Sequence, residues 1–338
     1  MIKSKPRLGF LGTGWIGRHR MKKIIESGAA EAALIYDPHS ESLAEALKEV
    51  PTASPADSYD DFLSSDLDGI VIATPSAQHA EQSIQALQAG YAVFCQKPLG
   101  RTATEVKNVV AAAKSTDTFL GVDFSYRYTE GMKRIHSLIN EGEIGEIHAV
   151  DLVFHNAYGP DKTWFYDPKQ SGGGCVMDLG VHLVDLALWC LNFPKILESS
   201  SRLFTGGKPL VNETEQVEDF ALAQLDCAGG TTFRLACSWR LPAGCDCVIS
   251  ADFYGSKGGL SFRSLNGSFY DFIAERFRGT AREVLFQAAP PGMDPPAEDW
   301  GGRAAVAWAK RLAEGTRFDP SCENLITVAG VLDRIYRR

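Results

Sequence analysis

No apolar run in this 338-residue chain approaches the roughly 18 residues that a membrane-crossing helix needs, and the most apolar stretch, Leu183 to Leu191, contains Asp185. Runs of Lys or Arg are equally scarce: 34 basic side chains face 42 acidic ones, for a formal net charge of −8. That balance speaks against a nucleic-acid or membrane partner. The one loose basic group, Arg276, Arg278 and Arg282, is broken by Glu275 and Glu283 and reads as a solvated face. Eight cysteines without dense spacing form no disulfide framework and read as reduced thiols. Cys245 and Cys247 share one face of an expected strand, either as a metal or redox pair or as two packed thiols. The N-terminus resembles a leader only in part. Lys3, Lys5 and Arg7 precede the apolar stretch Leu8 to Leu11, but glycines at 9, 12, 14 and 17 break it and Arg18-His19-Arg20 ends it. This is a first strand, and the chain is expected in the cytoplasm. There is no internal repeat and no low-complexity tract.

What the chain has is length and alternation. Hydrophobic residues make up 45% and charged residues 22% of it, ordinary for a globular protein. One core stops growing near about 250–300 residues, so two domains are expected; the grammar changes after residue 122, giving 1–122 and 123–338. In the first part, apolar runs at 8–11, 32–36, 69–73, 92–95 and 119–122 have strand length, and segments such as 77–89 and 102–114 have helical periodicity. Thr102 with Glu105 three residues on forms a capping-box pattern. Alternating βα units predict an α/β domain with a doubly wound parallel sheet. The second part predicts a helix over 130–140, a strand over 145–155, an irregular loop, Gly172-Gly173-Gly174, and an apolar helix through Cys190. Strand-like runs follow at 217–227, 231–239, 246–254, 260–264 and 268–272, with turn signals at Gly229-Gly230 and Lys257-Gly258-Gly259. A proline-rich loop over 288–298 and two closing helices complete an α+β domain with a mainly antiparallel open sheet.

Gly12-Thr13-Gly14-Trp15-Ile16-Gly17 follows the first strand directly and opens a helix. In that context the first glycine permits a tight turn, the second lets backbone approach a pyrophosphate, and the third packs helix on strand. The helix N-terminus adds positive dipole and free N–H groups. Gly12, Gly14, Trp15, Ile16 and Gly17 are therefore candidate contacts of a dinucleotide in a Rossmann domain. Asp37 lies 20 residues beyond Gly17, where a carboxylate accepts bonds from ribose hydroxyls and repels a 2′-phosphate. No Arg follows it, which favours NAD and leaves NADP open to an arginine from elsewhere.

Four stretches carry a family resemblance: the glycine fingerprint, Ala73-Thr74-Pro75-Ser76-Ala77-Gln78-His79, Cys95-Gln96-Lys97-Pro98-Leu99, and 171–182 with its Gly triplet, Asp178 and His182. Together they resemble the glucose–fructose oxidoreductase / inositol dehydrogenase / rhizopine-catabolism (Gfo/Idh/MocA) family of nicotinamide-dependent oxidoreductases. The similarity runs over essentially the whole chain, including a closing helix over 323–336. It implies that Thr74, Pro75 and His79 lie by the nicotinamide half of the cofactor, with Gln96 and Lys97 beside it. It implies catalytic roles for Lys97, Asp178 and His182, and a homodimer or homotetramer. Gln96 departs from the family's usual Glu, keeping an amide but removing a negative charge beside Lys97.

Oxidising an alcohol requires a base for the hydroxyl proton while hydride leaves the same carbon. His182, with an ordinary pKa near about 6.5, suits general base, and acid in reverse. Asp178 and His182 are spaced i, i+4, one face of an α-helix; Asp178 would grip substrate hydroxyls or hold Lys97, which donates to the substrate oxygen. Asp185 could orient the imidazole or be an ordinary polar residue. The trio also suits a divalent ion, but no fourth ligand is spaced for one and none is assigned. Arg127, His155 and Trp164 join Lys97, Asp178 and His182 as candidate substrate contacts, because aromatic faces with polar handles suit a sugar or cyclic polyol. The expected activity is NAD-dependent oxidation of a secondary alcohol of such a substrate. Two alternatives stay open: a glycosidase that uses NAD without net redox, and a regulatory protein that binds a dinucleotide without turnover.

Overall fold

The computed structural model describes residues 5–288 and 300–338. The chain divides into two compact units, residues 1–125 with Gly301–Ile326, and Tyr126–Trp300 with Thr327–Arg338.

In the first unit, strands β1 (Arg7–Leu11), β2 (Glu31–Tyr36), β3 (Ser54–Pro55), β4 (Gly69–Ile72), β5 (Ala92–Cys95) and β6 (Leu120–Val122) form one parallel sheet in the order 3-2-1-4-5-6. Helices α1 (Trp15–Glu26), α2 (Ser40–Glu49), α3 (Tyr59–Leu63), α4 (Ser76–Gln88) and α5 (Ala103–Ser115) connect them. β4 and β5 are buried along their whole length, as strands covered on both faces must be. On α5, Val106, Val109, Val110 and Ala113 repeat at helical spacing and are buried, and Thr102 Oγ1 accepts the Glu105 amide at 3.2 Å. Only that half of the capping box forms, since the Glu105 carboxylate accepts the Arg101 amide at 2.7 Å instead.

Residues 301–326 complete this unit, although the sequence grammar assigns them to the second. On α9 (Arg303–Ala313), the Trp308 ring packs 5.6 Å from Phe94 and 6.2 Å from Phe119. A Cβ on Gly121 would stand 2.7 Å from that indole, so the glycine makes its seat. Local pattern cannot register a seat whose parts lie nearly 200 residues apart.

The second unit holds α6 (Glu130–Asn140) and a nine-stranded sheet in the order 15-14-13-12-7-11-10-8-9. Its strands are β7 (Ile147–Asn156), β8 (Ile196–Thr205), β9 (Lys208–Pro209), β10 (Phe220–Cys227), β11 (Thr232–Ser238), β12 (Cys247–Gly255), β13 (Gly258–Ser264), β14 (Phe272–Arg278) and β15 (Ala281–Gln287). Only β7 and β11 pair in parallel. Between β7 and β8 run α7 (Pro168–Ser171), a π-helical turn (Val176–Gly180) and α8 (Val181–Cys190). One sheet face, with Leu152, Phe154, Leu235 and Cys237, is buried under this segment and α6; a Cβ on Gly180 in the π turn would stand 3.5 Å from the Leu235 side chain. The run Pro168–Cys190 passes by length and composition as a membrane span, but 83% of its most apolar 18-residue window is buried in the unit, as core segments of a soluble fold are.

The fold class is the expected one. The strands missed are the two-residue β3 and β9, β8, whose alternation Ser199-Ser200-Ser201 blurs, and β15; the run expected at 268–272 is loop up to Phe272, where β14 begins. The charged group thought a solvated face forms the β14–β15 hairpin, where Arg276 donates to Glu283 and Glu275 is buried against Arg263 and Arg282. Apart from Ala288, the proline-rich segment lies outside the described residues. All eight cysteines are free thiols, Cys245 and Cys247 included. The final helix, α10 (Asn324–Tyr336), begins in the first unit and ends in the second.

Candidate active site

The glycine turn in the first unit gives each glycine its own reason. Gly12 has φ +83°, and a Cβ there would stand 2.7 Å from the Ala73 carbonyl. A Cβ on Gly17 would stand 2.0 Å from the Gly12 carbonyl oxygen, so the helix packs on the turn only without one. A Cβ on Gly14 meets nothing within 4 Å. The protein itself leaves the space before Gly14 open, which fits the approach of a pyrophosphate to exposed backbone. Trp15 stands beside it, 63% exposed, and Ile16 is half-buried. Asp37 is buried at the end of β2 and accepts the amides of Thr13 at 2.7 Å and His39 at 2.9 Å. Its two oxygens have lone pairs left for hydroxyls, and it also ties the glycine turn to the second strand. These residues fit a dinucleotide.

Thr74 and Pro75 open α4, and Lys97 follows β5, both at carboxyl ends of parallel strands, where ligands of open α/β sheets bind. His79 reaches both of these loops. Its ring is buried, with Nδ1 2.7 Å from the Pro98 carbonyl and Nε2 2.6 Å from the Thr74 carbonyl. Both ring nitrogens lie within hydrogen-bond distance of backbone carbonyls, so His79 bridges the two loops, and a neutral imidazole donates to one of the two. Burial pushes its pKa below the ordinary value. Gln96 is buried too, and its amide donates to Asp123 Oδ2 at 2.6 Å. Arg20 Nε donates to the same carboxylate at 2.6 Å and Ser125 to its other oxygen. Burial raises the Asp123 carboxyl, but the Arg20 charge and these hydrogen bonds bring it below the usual carboxylate range. The Gln at 96 is thus the complement of Asp123.

In the second unit, Asp178 and His182 are both half-buried. Asp178 lies in the π turn and His182 in α8, so α-helical i, i+4 spacing does not apply between them; such turns recur at functional sites. The Trp239 indole donates to Asp178 Oδ2 at 3.1 Å, and the Tyr126 ring meets the His182 ring edge-on at 5.0 Å. Trp300 lies against the other side of Tyr126 at 4.7 Å. Burial, with the Asp178 charge among lesser causes, raises the Tyr126 phenol. Trp164 stacks on Phe165 at 3.8 Å, and Phe165 meets Trp239 edge-on at 6.3 Å. An aromatic tier therefore runs from Trp164 through Trp239 to Asp178.

Two expected substrate contacts lie elsewhere. Arg127 is locked onto buried Asp185 by Nε at 2.7 Å and Nη2 at 2.5 Å, with Trp189 and Phe193 against its guanidinium. Asp185 is thus held by Arg127, and among the described residues no cluster of three metal-ligating side chains occurs. His155 projects from the face of the sheet opposite Phe154, bonded to Ser238 at 2.8 Å and stacked on Phe220. Strand alternation carries that information once the buried face is known.

Trp239, Tyr126, Glu218 and Tyr336 were not singled out from the sequence. A Cβ on Gly174 would stand 1.8 Å from the Glu218 carbonyl, and one on Gly173 2.1 Å from the Tyr336 hydroxyl. The Gly triplet was the available signal: it marks a close approach by something unnamed.

Residues 7–124 match an oxidoreductase family described as an NAD-binding Rossmann fold, and residues 132–261 match the Gfo/Idh/MocA C-terminal domain. An uncharacterized oxidoreductase of Streptococcus pneumoniae is 32% identical over 49% of this chain and 46% of its own, so the match spans about half of that relative. The inositol 2-dehydrogenase of Rhizobium meliloti is 27% identical over 75% of this chain and 74% of its own. The structure of a levoglucosan dehydrogenase with NADH superposes with a TM-score of 0.82 at 21% identity, over 99% of this chain and 96% of that one, a likeness of fold. With both parts matched in order, the chain belongs to the Gfo/Idh/MocA oxidoreductase family, and its first unit is an NAD-binding Rossmann domain.

Proposed function

We propose that the protein is an NAD-dependent dehydrogenase that oxidises a secondary alcohol of a sugar, sugar derivative or cyclic polyol. The observation that carries this is the aromatic tier ending on Asp178 beside His182. Indole and phenyl faces take the apolar face of a sugar ring, a carboxylate takes two neighbouring hydroxyls, and an imidazole takes a proton. The named activities of relatives, inositol 2-dehydrogenase among them, agree with that substrate class. NAD, when bound, would supply the hydride acceptor. The backbone of the turn at Gly14 would hold its pyrophosphate, with Gly12 and Gly17 shaping that turn; Asp37 would hold its adenosine ribose, and Thr74, Pro75 and Gln96 would stand at the nicotinamide end. His182 receives the hydroxyl proton at an imidazole nitrogen and returns it in the reverse direction. Lys97 donates to the substrate oxygen, as the family pattern suggests, and Asp178 orients the neighbouring hydroxyls. A homodimer or homotetramer belongs to the same proposal.

The test is an absorbance screen at the NADH band with NAD or NADP against sugars, sugar acids and inositols. NADH formation with one of these classes is the expected result. Hydrolysis of a nitrophenyl glycoside without NADH accumulation would favour the glycosidase alternative, and tight NADH binding with no turnover the regulatory one. His182→Ala should lower kcat about 10²–10⁴-fold while NAD binding persists; unchanged turnover removes His182 from the mechanism.

A further inference from the structure

Four consecutive amides precede the first hydrogen bond of the helix that carries Asp178 and His182, and all four are accepted from far along the chain. Gly174 N donates to the Glu218 carboxylate at 2.9 Å, Cys175 N to the Glu218 carbonyl at 3.0 Å, and Val176 N to Glu218 Oε1 at 2.9 Å. Met177 N donates to the Tyr336 hydroxyl oxygen at 3.2 Å, and that hydroxyl donates to Glu218 Oε1 at 2.7 Å. The next amide, Asp178 N, makes the first intrahelical bond, to Gly174 O at 3.0 Å. The first four N–H groups of a helix have no partner inside it, and here the N-cap residue Cys175 supplies none from its side chain.

The choice of cap is costly. Glu218 is fully buried and Tyr336 nearly so. Burial pushes the Glu218 carboxyl up, while the amides and the Tyr336 hydroxyl pull the other way. A Ser or Asn at the N-cap would satisfy one or two of these amides with far less desolvation. A carboxylate gripped by two amides and a phenol fixes direction as well, because charge-assisted bonds are short and angularly demanding. The two glycines admit both groups against the backbone, where any Cβ would collide.

We infer that Glu218 and Tyr336 are positioning residues for the reaction, fixing the head of this helix so that Asp178 and His182 keep one geometry. This rests on the roles given to Asp178 and His182 above. The test compares Tyr336→Phe, Glu218→Gln and Glu218→Ala with His182→Ala, all full-length with NAD bound. Folding is checked by circular dichroism. The His182 imidazole titration is followed by NMR, and kcat is measured with the polyol or sugar of the screen.

In Tyr336→Phe the His182 titration midpoint should move and kcat fall about 10- to 100-fold, while NADH affinity changes by less than about 2-fold. The limb of the pH profile that His182→Ala abolishes should move with it. Glu218→Gln, which keeps one acceptor, should retain more activity than Glu218→Ala. A folded Tyr336→Phe protein with wild-type kcat and an unmoved titration overturns the inference, even where the Glu218 variants fail to fold. Failure of the underlying assignment looks different: His182→Ala then keeps wild-type kcat, and both fall together.

Discussion

Gln96 takes its meaning from Asp123, whose carboxylate it meets at 2.6 Å inside the first unit. Restoring the family's Glu there would set two carboxylates against each other in a buried site, and one would have to keep a proton. The new Glu's folded pKa would lie above its unfolded value. Its contribution is therefore present below the unfolded pKa of about 4.3 and lost as pH rises through the raised one. Gln96→Glu should accordingly cost about 1–3 kcal/mol more at pH 8 than at pH 5, read by urea unfolding at both; an equal loss at both would show that the carboxylates do not meet. Asp37 has a double role, since it accepts the Thr13 and His39 amides as well as standing where a ribose is expected. Asp37→Ala should raise the NAD dissociation constant about 10-fold or more and narrow the preference over NADP. A wild type that already prefers NADPH in titration would undo that role for Asp37.

At the scale of elements, the glycine turn separates fold from function. Gly17→Ala forces a Cβ to 2.0 Å from the Gly12 carbonyl oxygen, whereas Gly14→Ala meets no protein atom within 4 Å. Gly17→Ala should lose about 1–3 kcal/mol or more of stability. Gly14→Ala should keep its melting temperature and weaken NADH binding; equal destabilisation by both would mean the open space before Gly14 is not reserved for a ligand. This turn was legible because strand, glycines and helix lie within a few residues. The Thr102 cap and the parallel strands were legible for the same reason. The π turn was not, since an i→i+5 bond leaves no mark in residue order, and it changed how Asp178 relates to His182. Arg127 with Asp185, and Glu218 with the Gly triplet, were hidden by distance along the chain: each half of the pair looks ordinary until the other is beside it.

For the whole molecule, the last residues serve both units, and this changes what counts as a domain. Trp308 seats on Phe94 and Phe119 in the first unit, while Tyr336 bonds Glu218 and Arg338 donates to the Gly172 carbonyl in the second. A cut at residue 122, where the sequence grammar changes, removes α9 and also Asp123, leaving Arg20 without the carboxylate it meets at 2.6 Å. Loss of a buried Trp costs about 3–5 kcal/mol, and a buried charge without its partner about as much. Together these rival the whole stability of a typical domain, about 5–15 kcal/mol. A fragment of residues 1–122 should therefore fail to melt cooperatively or to bind NADH. Residues 1–125 joined through a Gly/Ser linker to 301–326 should do both, followed by circular dichroism and NADH fluorescence. Trp308→Ala within that joined fragment should lower its stability by about 3–5 kcal/mol. If the 1–122 fragment instead melts cooperatively and binds NADH as tightly as the joined one, α9 is a passenger on the Rossmann sheet, and the glycine at 121 needs another reason.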